Sequence, residues 1–137
     1  MSDQIAAVFD ASALTAYIEG NVSVGELMLE VADEGRQVAV PAACLAAAIA
    51  GAGDEVGAAL LALMMSAPVI CLLPLDAAEV RDTGTLARAV DGDISLGQAA
   101  SAALTHEAHY ATVQPKMAAK VLPTNWSILD LTWPDLA

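Results

Sequence analysis

Apolar residues along this chain fall into short unbroken runs, separated by longer segments of helical period. IAAVF (5–9), QVAV (37–40), VICLL (69–73) and YATV (110–113) are the unbroken runs. Each is too short for a helix and unbroken by polar alternation, which marks a strand buried on both faces. A final edge strand is expected at 121–122 or at 128–131. The segments between carry helix start and stop signals. Ser12 can cap a helix running to about residue 19, stopped by Gly20 and Asn21. Ser23 and Glu26 have the spacing of a capping box, opening a second helix to about residue 34. Pro41 opens a third helix, AACLAAAIA, at a position where its missing N–H costs nothing. GAGD (51–54) separates it from a fourth helix over 55–66. Asp76 and Glu79 resemble another capping box and start a fifth helix, which runs to about residue 90. Asp91, Gly92 and Asp93 make a turn, a sixth helix covers 94–108, and 115–119 is a short helical turn.

Strands that alternate with helices predict an α/β fold. The specific expectation is one domain over residues 1–137, a three-layer α/β/α sandwich with a mostly parallel sheet of four or five strands. In such sheets ligands bind beyond the carboxyl ends of the strands. Asp10 follows the first strand at once, so it sits at that edge. It can be a plain helix cap, shared with Ser12, or the first member of an acidic metal site. Asp93, ahead of the sixth helix, has the same two readings.

Charge narrows the partners. Five basic residues face 17 acidic ones, for a formal net charge of -12. Nucleic-acid binding rests on Lys and Arg neutralising phosphates, and this chain offers few. No apolar stretch approaches the ~20 residues of a membrane span, and the N-terminus has no basic n-region. Cys44 and Cys71 lie far apart without metal-ligand spacing and read as reduced core thiols. A cytoplasmic protein with no membrane association is expected. His106 and His109 end the sixth helix, where the helix dipole favours a histidine. Met64 and Met65 read as core or interface.

VFDASAL (8–14), VAVPAACLAAA (38–48), DISLGQAA (93–100) and ATVQP (111–115) together resemble the PIN domain, the fold of VapC-type toxin ribonucleases. The resemblance spans nearly the whole chain. In that family a strand-end Asp, a Glu in the third helix, a third acid at the start of a later helix and a fourth after the Thr of a T-x-D segment hold Mg²⁺ or Mn²⁺ for phosphodiester hydrolysis. Hard cations need that clustering of oxygen ligands. Asp10 matches the first acidic position and Ser12 the small polar residue beside it. Asp93 matches the third, with Gly97 and Ala100 as the small residues that let the sixth helix pack closely. Thr112 matches the Thr of the fourth segment. The Glu position holds Ala47, and the fourth acidic position holds Gln114, an uncharged amide. Asp91 could stand in for one missing acid.

The resemblance therefore implies a PIN-like domain with an incomplete metal site, impaired or non-catalytic, acting through protein contacts. The alternative is an active Mg²⁺- or Mn²⁺-dependent ribonuclease of the toxin–antitoxin type, with RNA as substrate. Any site on Asp10 and Asp93 would bind metal weakly. An antitoxin or another protein is the expected partner. The fourth helix is apolar nearly all round, which implies burial on more than one side and a two-fold homodimer.

Overall fold

The computed structural model describes residues 4–132. Five strands, β1 (Ile5–Phe9), β2 (Gln37–Pro41), β3 (Ile70–Leu73), β4 (His109–Thr112) and β5 (Ile128–Asp130), form one sheet. Its order is β3-β2-β1-β4-β5 and every neighbouring pair is parallel. Seven α-helices accompany it among the described residues: α1 (Ala11–Ile18), α2 (Val22–Asp33), α3 (Ala42–Ala52), α4 (Glu55–Met65), α5 (Val80–Ala87), α6 (Ile94–His106) and α7 (Pro115–Ala119). All five residues of β1 are buried, as are the last four of β2, so helices cover both faces of the sheet centre. This is the three-layer α/β/α arrangement expected from continuous apolar strands. No helix among the described residues is long and apolar enough to cross a membrane.

The strand order positions the site. From β1 the chain winds outward through β2 to β3, then crosses back to lay β4 on the other side of β1. The junction of β1 and β4 is thus the topological switch point, where a crevice opens beyond the strand ends. Asp10 leaves β1 there. Val8 pairs with Tyr110 and Phe9 with Ala111, and Asp10 N donates to Ala111 O at 3.4 Å. The register therefore carries Asp10 alongside the end of β4.

Several local expectations are corrected. The cap of α1 is Asp10, not Ser12; Ser12 lies inside the first turn. Asn21, not Ser23, caps α2, accepting from Ser23 N at 2.8 Å, because Asn already sits in extended backbone one residue ahead of the helix. Pro41 closes β2 and α3 begins at Ala42. Asp76 and Glu79 form a turn before α5, with Glu79 N donating to Asp76 O at 3.1 Å, and the end of the fifth helix tightens into a 3₁₀ turn at Arg88–Val90. α6 stops at His106 because Glu107 adopts the left-handed conformation, φ 52°. The edge strand is Ile128–Asp130; Val121 and Leu122 are buried outside the sheet.

Two packing features bear on function. Gly97 lies where α6 meets α5: a Cβ there would collide with the Thr83 carbonyl and crowd Ala87, so only glycine permits the approach. α4 buries Gly57, Leu61 and Met64 on one face, against α1, α3 and β3. Its other face turns Val56 and Leu63 outward, each about two-thirds exposed, so the helix is not enclosed.

Candidate functional site

Asp10 is 3% exposed, the most buried acidic side chain among the described residues. Its Oδ1 accepts from Ser12 Oγ at 2.6 Å and from Ala13 N at 3.0 Å, the second being the N-cap bond of α1. Its Oδ2 accepts from Thr112 Oγ1 at 2.7 Å and from Tyr110 OH at 3.0 Å. Tyr110 and Thr112 are two apart on β4 and so share a face of the sheet, which brings both hydroxyls to one oxygen. The hydroxyls are themselves held. Ser12 Oγ accepts from Val113 N at 3.1 Å and Thr112 Oγ1 from Gln114 N at 2.9 Å, while the two oxygens lie 3.0 Å apart.

The other sequence-singled residues lie around this centre. Asp93 caps α6: its Oδ1 accepts from Ser95 Oγ at 2.7 Å and from Leu96 N at 3.2 Å, and the residue is exposed. Asp91 is exposed in a left-handed turn, φ 56°. Gln114 is exposed and joins the network through its backbone N–H alone. Ala47 lies on the exposed side of α3. His106 and His109 part company: His106 is half-buried at the end of α6, while His109 is exposed and its Nδ1 contacts Ser127 Oγ at 2.6 Å.

Three participants escaped the sequence reading. Tyr110 is fully buried, and burial together with the negative charge of Asp10 pushes its hydroxyl far above its ordinary pKa. Cys44 is also fully buried; burial first and Asp10 second raise its thiol, which donates to Ser95 O at 3.1 Å. The charge of Asp93 adds to both shifts, so the two carboxylates act on one shared pair of buried protonated groups. Gln98, buried on α6, accepts from Ala43 N at 2.8 Å and donates to Leu73 O at 3.3 Å, tying α6 to the start of α3 and the end of β3. A polar residue inside an alanine-rich helix was the available signal for Gln98. For Tyr110 it was the two-residue spacing to Thr112.

Solved structures give the comparison that this geometry invites. A chain from the crystal structure of VapBC2 from Rickettsia felis, bound to a DNA fragment from their promoter, superimposes with a TM-score of 0.62. The alignment covers 90% of this chain and 100% of that one at 17% identity. The fold is PIN-like. No protein-family model matches the chain, and no curated protein matches it.

A PIN-like fold implies a divalent cation beside the strand-end Asp, so the donor set has to be tested against one. Among the described residues, no three His, Cys, Asp or Glu side chains group closely enough to hold a metal ion. An ionised carboxylate offers about four lone-pair directions, and four protein donors already use those of Asp10. The described residues thus lack the multi-carboxylate cluster that the resemblance implies.

Proposed function

We propose that this chain is a PIN-like domain that acts by protein contact, its metal-dependent nuclease chemistry impaired or lost. One observation carries the positive half of this reading. Tyr17, Val22, Met28, Leu29, Ala67 and Val69 line an open trough of about 560 Å³ between α1, α2 and the connection from α4 to β3. Val22 is 57% and Leu29 68% exposed within or beside it. Large apolar side chains on a concave surface mark a place where another chain docks. Glu26 lines the trough, and Glu30 and Asp33 are exposed on the same helix. With a net charge of -12, the fitting partner is an amphipathic segment with an apolar stripe and Lys or Arg at its flanks. The likeness to a VapBC2 chain supports an antitoxin-type polypeptide in that role.

A second surface serves a second copy. Val56, Ala59 and Leu63 share the outward face of α4 at helical spacing. A two-fold dimer that joins this face to itself covers both copies at once. Light scattering at micromolar concentration then gives a dimer mass for the native chain and a monomer mass for Leu63→Glu. A native monomer removes this assignment.

The negative half rests on Ala47, Gln114 and the committed Asp10. Its test is RNA cleavage in Mg²⁺ or Mn²⁺ by the native chain beside Asp10→Ala. Equal, background-level products are expected. The competing reading, a ribonuclease using Asp10, Asp93 and Asp91, draws on the shared influence of Asp10 and Asp93 on Tyr110 and Cys44. Cleavage lost in both Asp10→Ala and Asp93→Ala would establish it.

A further inference from the structure

We infer that the carboxylate of Asp10 is a structural clasp that fastens α1 to β4 across the switch point, and that it has no coordination position to give a divalent cation. The inference deepens the contact-domain reading but is decided by different data. Each oxygen in the cluster is spoken for. Oδ1 and Oδ2 each accept two bonds, at 2.6 to 3.0 Å. The single protons of Ser12 and Thr112 are given to Asp10, and each hydroxyl oxygen also receives a backbone N–H, from Val113 and Gln114 respectively. The two hydroxyl oxygens also lie within hydrogen-bond distance of each other, at 3.0 Å. Tyr110 OH donates the second bond to Oδ2, at 3.0 Å, from a fully buried side chain.

This geometry opposes a cation in a specific way. A metal ion sits on a carboxylate lone pair, at about 2.0–2.6 Å from oxygen. Around Asp10 those directions hold the positive ends of O–H and N–H dipoles. Admitting the ion would turn away at least one donor that is itself buried, and an orphaned buried donor is costly. The clasp joins residues about a hundred positions apart: Asp10 and Ser12 at the end of β1 and start of α1, Tyr110 to Gln114 at the end of β4. The four donors to its carboxylate are three hydroxyls and one backbone N–H. Buried networks of this kind are worth having only when every member is satisfied, as here.

Clasp and cation site predict opposite responses to losing the charge. A carboxylate kept for a metal is a liability without it, so Asp→Asn leaves the metal-free protein as stable or more so. A clasp needs acceptors on both oxygens. In Asp10→Asn one oxygen becomes an amide N–H₂ that accepts nothing, so either Ser12 OH and the Ala13 N–H or the Tyr110 and Thr112 hydroxyls lose their acceptor. Thermal unfolding of the full chain with EDTA, and with MnCl₂ at 5 mM, separates the two. Asp10→Asn should melt about 5–10 °C below the native chain in EDTA, and Tyr110→Phe about 3–6 °C below. Mn²⁺ should leave the native midpoint unchanged. Should Asp10→Asn fail to fold, Tyr110→Phe and the Mn²⁺ titration of the native chain decide alone. A midpoint that rises with Mn²⁺, an Asp10→Asn midpoint at or above the native one, or an unchanged Tyr110→Phe midpoint overturns the clasp. RNA cleavage by the native chain would instead overturn the contact-domain reading, whatever the melting curves give.

Discussion

Asp10 and Asp93 open their helices in the same way. Each sits in extended backbone ahead of the sequence x-Ser-x, and each Oδ1 accepts from the Ser hydroxyl two residues on and the backbone N–H three residues on. The four distances differ by no more than 0.2 Å between the two ends: 2.6 and 3.0 Å at Asp10, 2.7 and 3.2 Å at Asp93. The difference lies in the other oxygen. At Asp10, Oδ2 is buried under Tyr110 and Thr112 from β4. Asp93 is exposed, and its side-chain bonds stay within the first turn of its own helix. One motif is a local cap where the helix begins at the surface, and a tertiary fastening where it begins at the sheet centre. Position in the strand order, not residue type, makes the difference.

The comparison breaks most visibly when each carboxylate is removed. Asp10→Ala forfeits the cap and leaves Tyr110 OH buried without an acceptor, for a loss of about 3–5 kcal/mol. Asp93→Ala forfeits only a cap, about 1 kcal/mol. Urea denaturation of the two variants should differ by that margin, and equal losses would erase the distinction. The neighbouring serines sharpen it. Ser12→Ala removes a bond to Asp10 and strands Val113 N, costing about 1–2 kcal/mol, whereas Ser95→Ala at the exposed end should fall within the ~0.5 kcal/mol typical of surface changes.

The smallest effect concerns pH and lies away from both sites. Partial burial, and then the charge of Asp76, raise the Glu79 carboxyl above its ordinary value of 4.5. The folded chain thus holds this proton more tightly than the unfolded one. Its favourable contribution is complete below the ordinary value and is lost as pH rises through the folded value. Glu79→Gln should therefore unfold at slightly higher urea than the native chain at pH 7 and show no advantage near pH 4. The reverse order would mean that Glu79 is stabilised as a carboxylate.

Much of the fold was legible because the sheet is buried on both faces. Runs such as IAAVF and QVAV have no polar alternation to confuse with a helix, and Gly35, Gly53 and the prolines punctuate them. The caps were read less well: Ser23 with Glu26 matched a capping box, yet Asn21 lay one residue ahead of the helix and took the N–H groups first. At the site, Asp10, Ser12 and Thr112 were identified from the sequence and are hydrogen-bonded together. Tyr110 was not, because an aromatic residue in an apolar run reads as core until its hydroxyl needs a partner. Naming that partner requires knowing that β4 lies beside β1. Strand order comes from the crossover after β3, which no local pattern encodes.

Backbone hydrogen exchange tests the clasp most directly. The amides of Ala13, Val113 and Gln114 are bonded to side chains of the cluster, and the amide of Leu96 is bonded to Asp93. If Asp10 fastens α1 to β4, the first three should exchange only through global unfolding, orders of magnitude more slowly than Leu96, which needs only local fraying of α6. Saturating Mg²⁺ should leave their rates and chemical shifts unchanged. Exchange of Ala13, Val113 and Gln114 as fast as that of Leu96, or shifts in these amides on adding Mg²⁺, would contradict the account.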